Sequence, residues 1–430
     1  MICDNISESG GRLFFAGLDV TELAKKYGTP LYLMDEDRIR HNCRIYKDAM
    51  QAAFGENALP LYASKAAAFK QMYRIVSDEG MGIDVVSSGE IFTAVSAGVN
   101  LKNAYFHSNN KTDDDIAFAM ENGIGYFVAD NAEEIDAVEA CAQRMGKRQK
   151  VLLRITPGID THTYEAVNTG KVDSKFGTAI ATGQAREIVE HTLGKPHIEL
   201  CGFHCHIGSQ VFDSDTFLRG SDIMLDFIAD MKKDFGFTAA QLNLGGGYGV
   251  RYVDDDPVID IAENIARVAC AIKTKCTSLG IAVPKILMEP GRSIVADAGM
   301  TVYTVGTVKK IPEYKNYVSV DGGMTDNPRF ALYGSVYTVY LANRMAEERN
   351  FECSLVGRCC ESGDIIAEHI FMPEPVRGDI AAVCTTGAYN YSMASNYNRI
   401  PRPPIVMLSG GESYVAVRRE TMYDIIHNDL

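Results

Sequence analysis

Between residues 59 and 291 a short apolar run recurs about eight times, each followed by a stretch with helical spacing. The runs lie at 59–63, 82–87, 103–108, 125–130, 151–155, 200–206, 241–245 and 285–289. Spacers such as 90–95 and 130–135 read as helices, the second with capping residues at its start. Strand and helix alternating in this way define a parallel βα architecture. The span is close to the ~250 residues of a closed (β/α)8 TIM barrel. A doubly wound open sheet is the competing α/β fold. It wants a Gly-x-Gly-x-x-Gly turn after its first strand, and Lys65 stands there instead.

Beyond Arg292 the texture changes. Residues 302–308, 317–320, 353–357 and 380–384 are β-branched runs broken by Gly and Pro, and helical spacers become rarer. That pattern predicts a second, antiparallel β domain of sandwich or barrel type. The opening runs at 13–17 and 30–34 are strand-like and suit the same domain. A chain of 430 residues exceeds one ordinary core. The expected division is a barrel over 36–295 and a β domain from 1–35 plus 296–430.

A net charge of −14 speaks against a nucleic-acid surface, which needs clustered Lys and Arg. The first residues carry no basic segment ahead of an apolar one, and no apolar run approaches the ~20 residues of a membrane span. Eleven cysteines, mostly alone or in apolar runs, suit reduced thiols better than a disulfide framework. The reading is a cytoplasmic protein with no nucleic-acid or membrane partner.

In a barrel the C-terminal ends of the strands converge on one mouth, where the chemistry sits. Here those ends carry Lys65, Asp84, His107, Arg154, His206 with Ser209, the run Gly245-Gly246-Gly247, and Glu289-Pro290-Gly291-Arg292. A nearly complete ring of polar groups is hard to explain as core satisfaction. The apolar run ending at Lys65 places an amine where burial is costly. Either the lysine snorkels to water or it condenses with an aldehyde as a Schiff base; its own segment does not decide. The glycine run and Gly291 fall at strands seven and eight, where barrels commonly bind phosphate. His204 and His206 stand near Cys201 and Cys205, which raises zinc. Strand alternation turns the cysteines away from the histidines, so no metal site is expected, and an imidazole covering a cofactor ring is the better use. An aldehyde, a phosphate, an anchoring lysine and an acid for a ring nitrogen together describe pyridoxal 5'-phosphate. Glu289 is the candidate acid; facing the pyridine nitrogen it would keep the ring a strong electron sink.

Several stretches match a known group in order. They are Tyr62-Ala63-Ser64-Lys65-Ala66, Ser174-Lys175-Phe176-Gly177, His204-Cys205-His206-Ile207-Gly208-Ser209-Gln210, Gly245-Gly246-Gly247 and Glu289-Pro290-Gly291-Arg292. Asp321-Gly322-Gly323-Met324, Arg329-Phe330-Ala331-Leu332-Tyr333-Gly334, Cys359-Cys360-Glu361-Ser362-Gly363-Asp364 and Gly387-Ala388-Tyr389 follow. Over roughly residues 30 to 415 the chain resembles the alanine-racemase-fold, pyridoxal-phosphate-dependent decarboxylases. The resemblance implies that Lys65 carries the cofactor, His206 stacks on its face and Glu289 pairs with its ring nitrogen. It implies that Ser209, Gly246, Gly247, the backbone at Gly291 and Arg292, and Tyr389 hold the phosphate. Asp84 and Arg154 would stand near the lysine and ring. Cys360 and Glu361 would reach into a partner's site, with Cys360 as proton donor, in a homodimer with shared active sites.

Arg292, Arg329 and Tyr333, with Tyr389 nearby, would clamp a distal carboxylate, a task suited to guanidinium forks. Glu361 would receive a distal ammonium. A small amino acid with both groups at its far end is meso-2,6-diaminopimelate, whose decarboxylation at the D centre gives L-lysine and CO2. The alternative is a related decarboxylase of carboxynorspermidine, ornithine or arginine. A racemase would prefer an arginine at the ring nitrogen, and a non-catalytic cofactor carrier would not need the β domain. Phe330 follows Arg329 where the group usually has proline, and Ser64-Lys65-Ala66-Ala67 replaces its more common Val-Lys-Ala-Asn.

Overall fold

The structure, a computed structural model, describes residues 1–159, 174–212 and 214–430. It divides into two compact units, one of Asn42–Gly249 with Val258–Gly291, the other of Met1–His41 with Val250–Pro257 and Arg292–Leu430.

In the first unit eight parallel strands close into a barrel. They are Ala58–Ala63, Gly82–Val85, Ala104–Phe106, Tyr126–Ala129, Gln149–Thr156, Ile198–His204, Gln241–Asn243 and Lys285–Met288. Each pairs with the next in chain order, and the eighth returns to the first through Ile286, Leu287 and Met288. All eight apolar runs of the sequence are therefore strands, and the closed barrel rather than the open sheet is the fold.

Helices follow the first seven strands, and their starts are written locally. The Ser87 hydroxyl accepts from the Glu90 N–H, Asn131 from Glu134 and Asp260 from Glu263, while Thr112 and Asp115 form a capping box. Each cap satisfies a donor that the helix leaves open, for about 1 kcal/mol. Leu61, Tyr105, Val128, Leu152, Cys201 and Leu287, from six different strands, form one buried cluster. The sixth strand is bulged: Leu200 pairs with Val151 but Gly202 with Leu152. Only glycine fits there, because a Cβ at Gly202 would lie 1.9 Å from the Gln241 carbonyl oxygen.

The β unit is built on the 13-residue strand Gly299–Ile311. It pairs antiparallel with Leu31–Asp35, Ile380–Cys384 and Lys315–Val320. The expectation of an antiparallel domain needs one refinement, because two pairs are parallel. Lys315–Val320 runs alongside Phe351–Val356, and Leu31–Asp35 alongside Ile405–Ser409. Both pairs join strands far apart in sequence, which leaves room for the crossover that parallel pairing requires. The opening strands Ile6–Ser9, Arg12–Phe15 and Leu18–Asp19 form a separate small sheet. Its Leu13 and Phe15 pack with Leu31, Leu33, Met300 and Val302.

Just past the third barrel strand lies a buried ion pair that composition could not disclose. Lys111 Nζ donates to Glu134 Oε1 (2.6 Å), to the Val128 carbonyl (2.9 Å) and to the Ser108 carbonyl (3.2 Å). The two side chains are 0% and 3% exposed. Replacing one partner strands the other's charge, which costs about 3–5 kcal/mol, whereas replacing both with apolar groups is often near neutral. Lys111→Met is expected to lower the urea midpoint sharply, and Lys111→Met/Glu134→Leu to recover most of the loss, as followed by circular dichroism.

Candidate active site

Glu289 follows the eighth strand and is buried against groups at the ends of three others. Asn243 Nδ2 donates to its Oε1 at 2.6 Å, and His204 Nε2 to its Oε2 at 3.1 Å. His107 Nε2 stands 2.7 Å from Oε1. Burial alone would push the carboxyl pKa up; His107 and His204 outweigh it and hold the group well below the usual carboxylate range. Burial pulls His204 down to about 4, so this imidazole is neutral at physiological pH.

Asp84, in the second strand, answers the same forces differently. Burial raises its pKa to about 6; His107 favours the charged form, whereas Glu289 opposes it. Its Oδ1 is buried with no hydrogen-bond partner among the described residues. Arg154, in the fifth strand, has its guanidinium 4.4 Å from the Phe176 ring centre. Burial lowers its pKa, while Asp130, Glu289 and Asp84 counter the shift. Gly177 fastens this edge, its N–H donating to Asp130 Oδ1 at 2.8 Å.

Lys65 sits in a single 3-10 turn, Ser64–Ala66, straight after the first strand. Its neighbours Ser64 and Ala66 are buried, but Lys65 is exposed. The cost of burying an ammonium, which the sequence suggested, is not incurred: the strand ends and the turn lifts the amine outward.

The glycine run after the seventh strand is a place where no side chain fits. A Cβ at Gly245 would meet the Cys205 carbonyl oxygen at 2.6 Å and His206 Nδ1 at 2.8 Å. At Gly246 it would meet the Glu289 carbonyl oxygen at 2.2 Å, and at Gly247 the Gly208 carbonyl oxygen at 2.5 Å. The Val211 N–H donates to the Gly247 carbonyl at 2.9 Å, tying the segment that contains Ser209 to this run. His206 is partly buried, and burial, with Lys65 and Arg154 adding to it, holds its pKa well below the ordinary imidazole value. Gly291 abuts the lysine turn, where a Cβ would lie 2.9 Å from that of Ala63. A backbone laid this close, with an amine and a buried ionised carboxylate in the same unit, fits an aldehyde cofactor bearing a phosphate.

The β unit gathers the other expected residues. Arg292 and Arg329 are 6% and 7% exposed. Their guanidinium carbons lie 5.0 and 5.1 Å from the ring centre of Tyr389, and Arg329 also lies 5.0 Å from that of Tyr333. Arg292 Nη1 donates to the Tyr252 hydroxyl at 2.6 Å. The buried Nε of Arg329 has no hydrogen-bond partner among the described residues. Tyr389 has a φ of 62°, a left-handed conformation that a bulky residue adopts only under constraint. Cys360 and Glu361 are exposed in a turn gripped by buried Asp364, whose carboxylate accepts from the N–H groups of Met324 (2.6 Å) and Cys359 (2.7 Å).

The barrel thus brings together Asp84, His107, Arg154, His204 and Glu289. Sequence reasoning placed His107 in the ring without a role, considered His204 for zinc, and missed Asn243 and Tyr252. Asn243 is the last residue of a short apolar strand and carries no motif; Tyr252 belongs to the β unit although it lies within the barrel's stretch of sequence. Cys201 packs into the interior cluster. Among the described residues the metal-ligand types that do meet are His107, His204 and Glu289, without either cysteine.

Residues 36–296 match the family described as pyridoxal-dependent decarboxylase, pyridoxal binding domain. Diaminopimelate decarboxylase of Bacillus subtilis (strain 168) is 44% identical over 98% of this chain and 95% of its own. The enzyme of that name from Staphylococcus aureus (strain COL) is 42% identical over 97% and 98%. A crystal structure of diaminopimelate decarboxylase from M. jannaschii in complex with L-lysine superposes with a TM-score of 0.90, at 32% identity, covering 100% of this chain and 98% of that one. The chain belongs to the pyridoxal-dependent decarboxylases, and its cofactor is pyridoxal 5'-phosphate. Within that family it belongs with the diaminopimelate decarboxylases.

One pH dependence follows from Glu90, on the helix after the second strand. Its Oε2 accepts from the Val86 N–H at 2.7 Å. Burial pushes its pKa from 4.5 up to about 7, with Asp84 adding to the rise and Lys65 opposing it. A carboxyl whose pKa is raised on folding contributes stability that is complete below the unfolded value and disappears as pH passes the folded one. Relative to Glu90→Gln, the wild-type protein should therefore lose melting temperature between about pH 4.5 and 7. Thermal scans of the pair across that range check the sign.

Proposed function

We propose that the chain removes CO2 from the D centre of meso-2,6-diaminopimelate to give L-lysine, as a carboxy-lyase of lysine biosynthesis. The observation that carries this reading is the buried Arg292 and Arg329 pair around Tyr389. Two desolvated guanidiniums are stable only with an anion or π-faces beside them, and the open Nε of Arg329 calls for an acceptor. A substrate with a second carboxylate supplies one; an amine such as ornithine does not.

The cofactor, when bound, draws electrons from the substrate's α-carbon and so permits loss of CO2. The chain does the rest. Lys65 would be its covalent anchor, and Glu289 would hold a proton at the ring nitrogen. His206 would cover one ring face, with Asp84 and Arg154 beside the lysine and ring. Ser209, Gly246, Gly247, the backbone at Gly291 and Arg292, and Tyr389 would hold the phosphate. Arg292, Arg329 and Tyr333 orient the distal carboxylate and Glu361 the distal ammonium. Cys360 would hold the thiol proton that takes the place of CO2 on the substrate carbon. We further propose a homodimer in which Cys360 and Glu361 serve the partner's site, a role compatible with their exposure here. A cytoplasmic setting accords with eleven cysteines that are all free thiols. No helix among the described residues is long and apolar enough to cross a membrane.

Purified holoprotein should release lysine and CO2 from meso-diaminopimelate. Arg329→Ala should lower kcat/KM for that substrate on the order of a hundredfold, the scale expected for losing one partner of a desolvated ion pair. Its rate on ornithine should change little. A faster wild-type rate on ornithine, arginine or carboxynorspermidine would select the alternative.

A further inference from the structure

We propose that His107 is a positioning residue for the reaction: it holds Glu289 as an ionised carboxylate, turned so that one oxygen stays open to a further donor. The inference rests on the placing of Glu289 at the cofactor's ring nitrogen and deepens it. Each carboxylate oxygen can accept about two hydrogen bonds. Oε1 accepts from Asn243 Nδ2 at 2.6 Å and has His107 Nε2 in ion-pair contact at 2.7 Å, whereas Oε2, among the described residues, has His204 Nε2 at 3.1 Å. Since an ionised carboxylate only accepts, both rings must carry their proton on Nε2. The two imidazoles meet edge to face at 4.7 Å, so neither can turn without disturbing the other.

Among the described residues, the titratable groups acting on this carboxylate besides His107 are Asp84, Arg154, His204, Cys205 and His206. Asp84 Oδ1 is 3.8 Å from His107 Nε2. Arg154 and Lys65 favour the ionised form of Asp84, and His204 faces Glu289 from the sixth strand. Arg154 and Glu289 also act on one another. Loss of His107 would thus leave Glu289 with Asp84 as an unshielded like charge. A metal between the three groups fits less well. Ligand atoms bound to one zinc at ~2 Å in tetrahedral array stand about 3.3 Å apart, and the 2.7 Å between His107 and Glu289 is shorter than that.

The test compares holoprotein carrying His107→Leu with His107→Gln, whose amide nitrogen can reach the place of Nε2. Three quantities are read: absorbance of the lysine-bound cofactor against pH without substrate, affinity of the apoprotein for pyridoxal phosphate, and kcat with KM. In His107→Leu kcat should fall about tenfold or more, KM should stay within about twofold, and an acid-side transition of the absorbance should move up in pH. His107→Gln should restore most of both. The proposal is overturned if His107→Leu keeps the wild-type profile and kcat. It is equally overturned if His107→Gln is as impaired as His107→Leu while both melt like wild type, or if the wild-type protein holds stoichiometric metal whose removal reproduces the loss. The absorbance profile needs no substrate, so it reports on His107 even if the amino acid turned over is not diaminopimelate.

Discussion

A carboxyl group taken out of water must either find donors or keep its proton. Glu289 finds them on two separate strands, in Asn243 and His204, with His107 Nε2 2.7 Å away just past a third. That is only possible because the sheet closes: the eighth strand returns to the first, and residues scattered from 65 to 289 become neighbours of one rim. Asp84, equally buried but without comparable donors among the described residues, is displaced the other way, to about 6. Two carboxyls in one cluster are thereby given different protonation behaviour by their neighbours alone, which is how a barrel can maintain an acid and a base side by side.

The β unit solves the complementary problem of burying cations. Arg292 and Arg329 have aromatic faces around them, Tyr389 shared between the two, Tyr252 with Arg292 and Tyr333 with Arg329. Cation–π contact moderates the desolvation cost without neutralising the charge of either guanidinium. The left-handed backbone at Tyr389 is consistent with a ring held in place for that purpose rather than for local comfort.

Much of this was legible before any coordinates. Alternation of apolar runs with capped helical spacers located all eight barrel strands, because strand and cap signals are local. The glycines at 245–247 were legible as a motif, and each stands where a Cβ would meet neighbouring backbone. What stayed hidden was non-local. Nothing near Asn243 or Tyr252 says that its partner is Glu289 or Arg292, and nothing near Lys111 names Glu134. The facing argument for Cys201 assumed regular alternation, which the bulge before Gly202 breaks. Lys65 looked buried because its strand is; the single helical turn that exposes it leaves no mark in hydropathy. Mixed pairing in the β unit also escaped notice, since β-branched runs do not encode strand direction.

The account turns on one amine serving one ring beside one ionised carboxylate. Borohydride reduction of the holoprotein, followed by proteolysis and mass spectrometry, addresses it directly. The cofactor's mass should appear on the peptide containing Lys65, and on no other lysine. A label on a different lysine, or a protein that binds the cofactor with no reducible link, would contradict the assignment of this barrel rim as the catalytic centre.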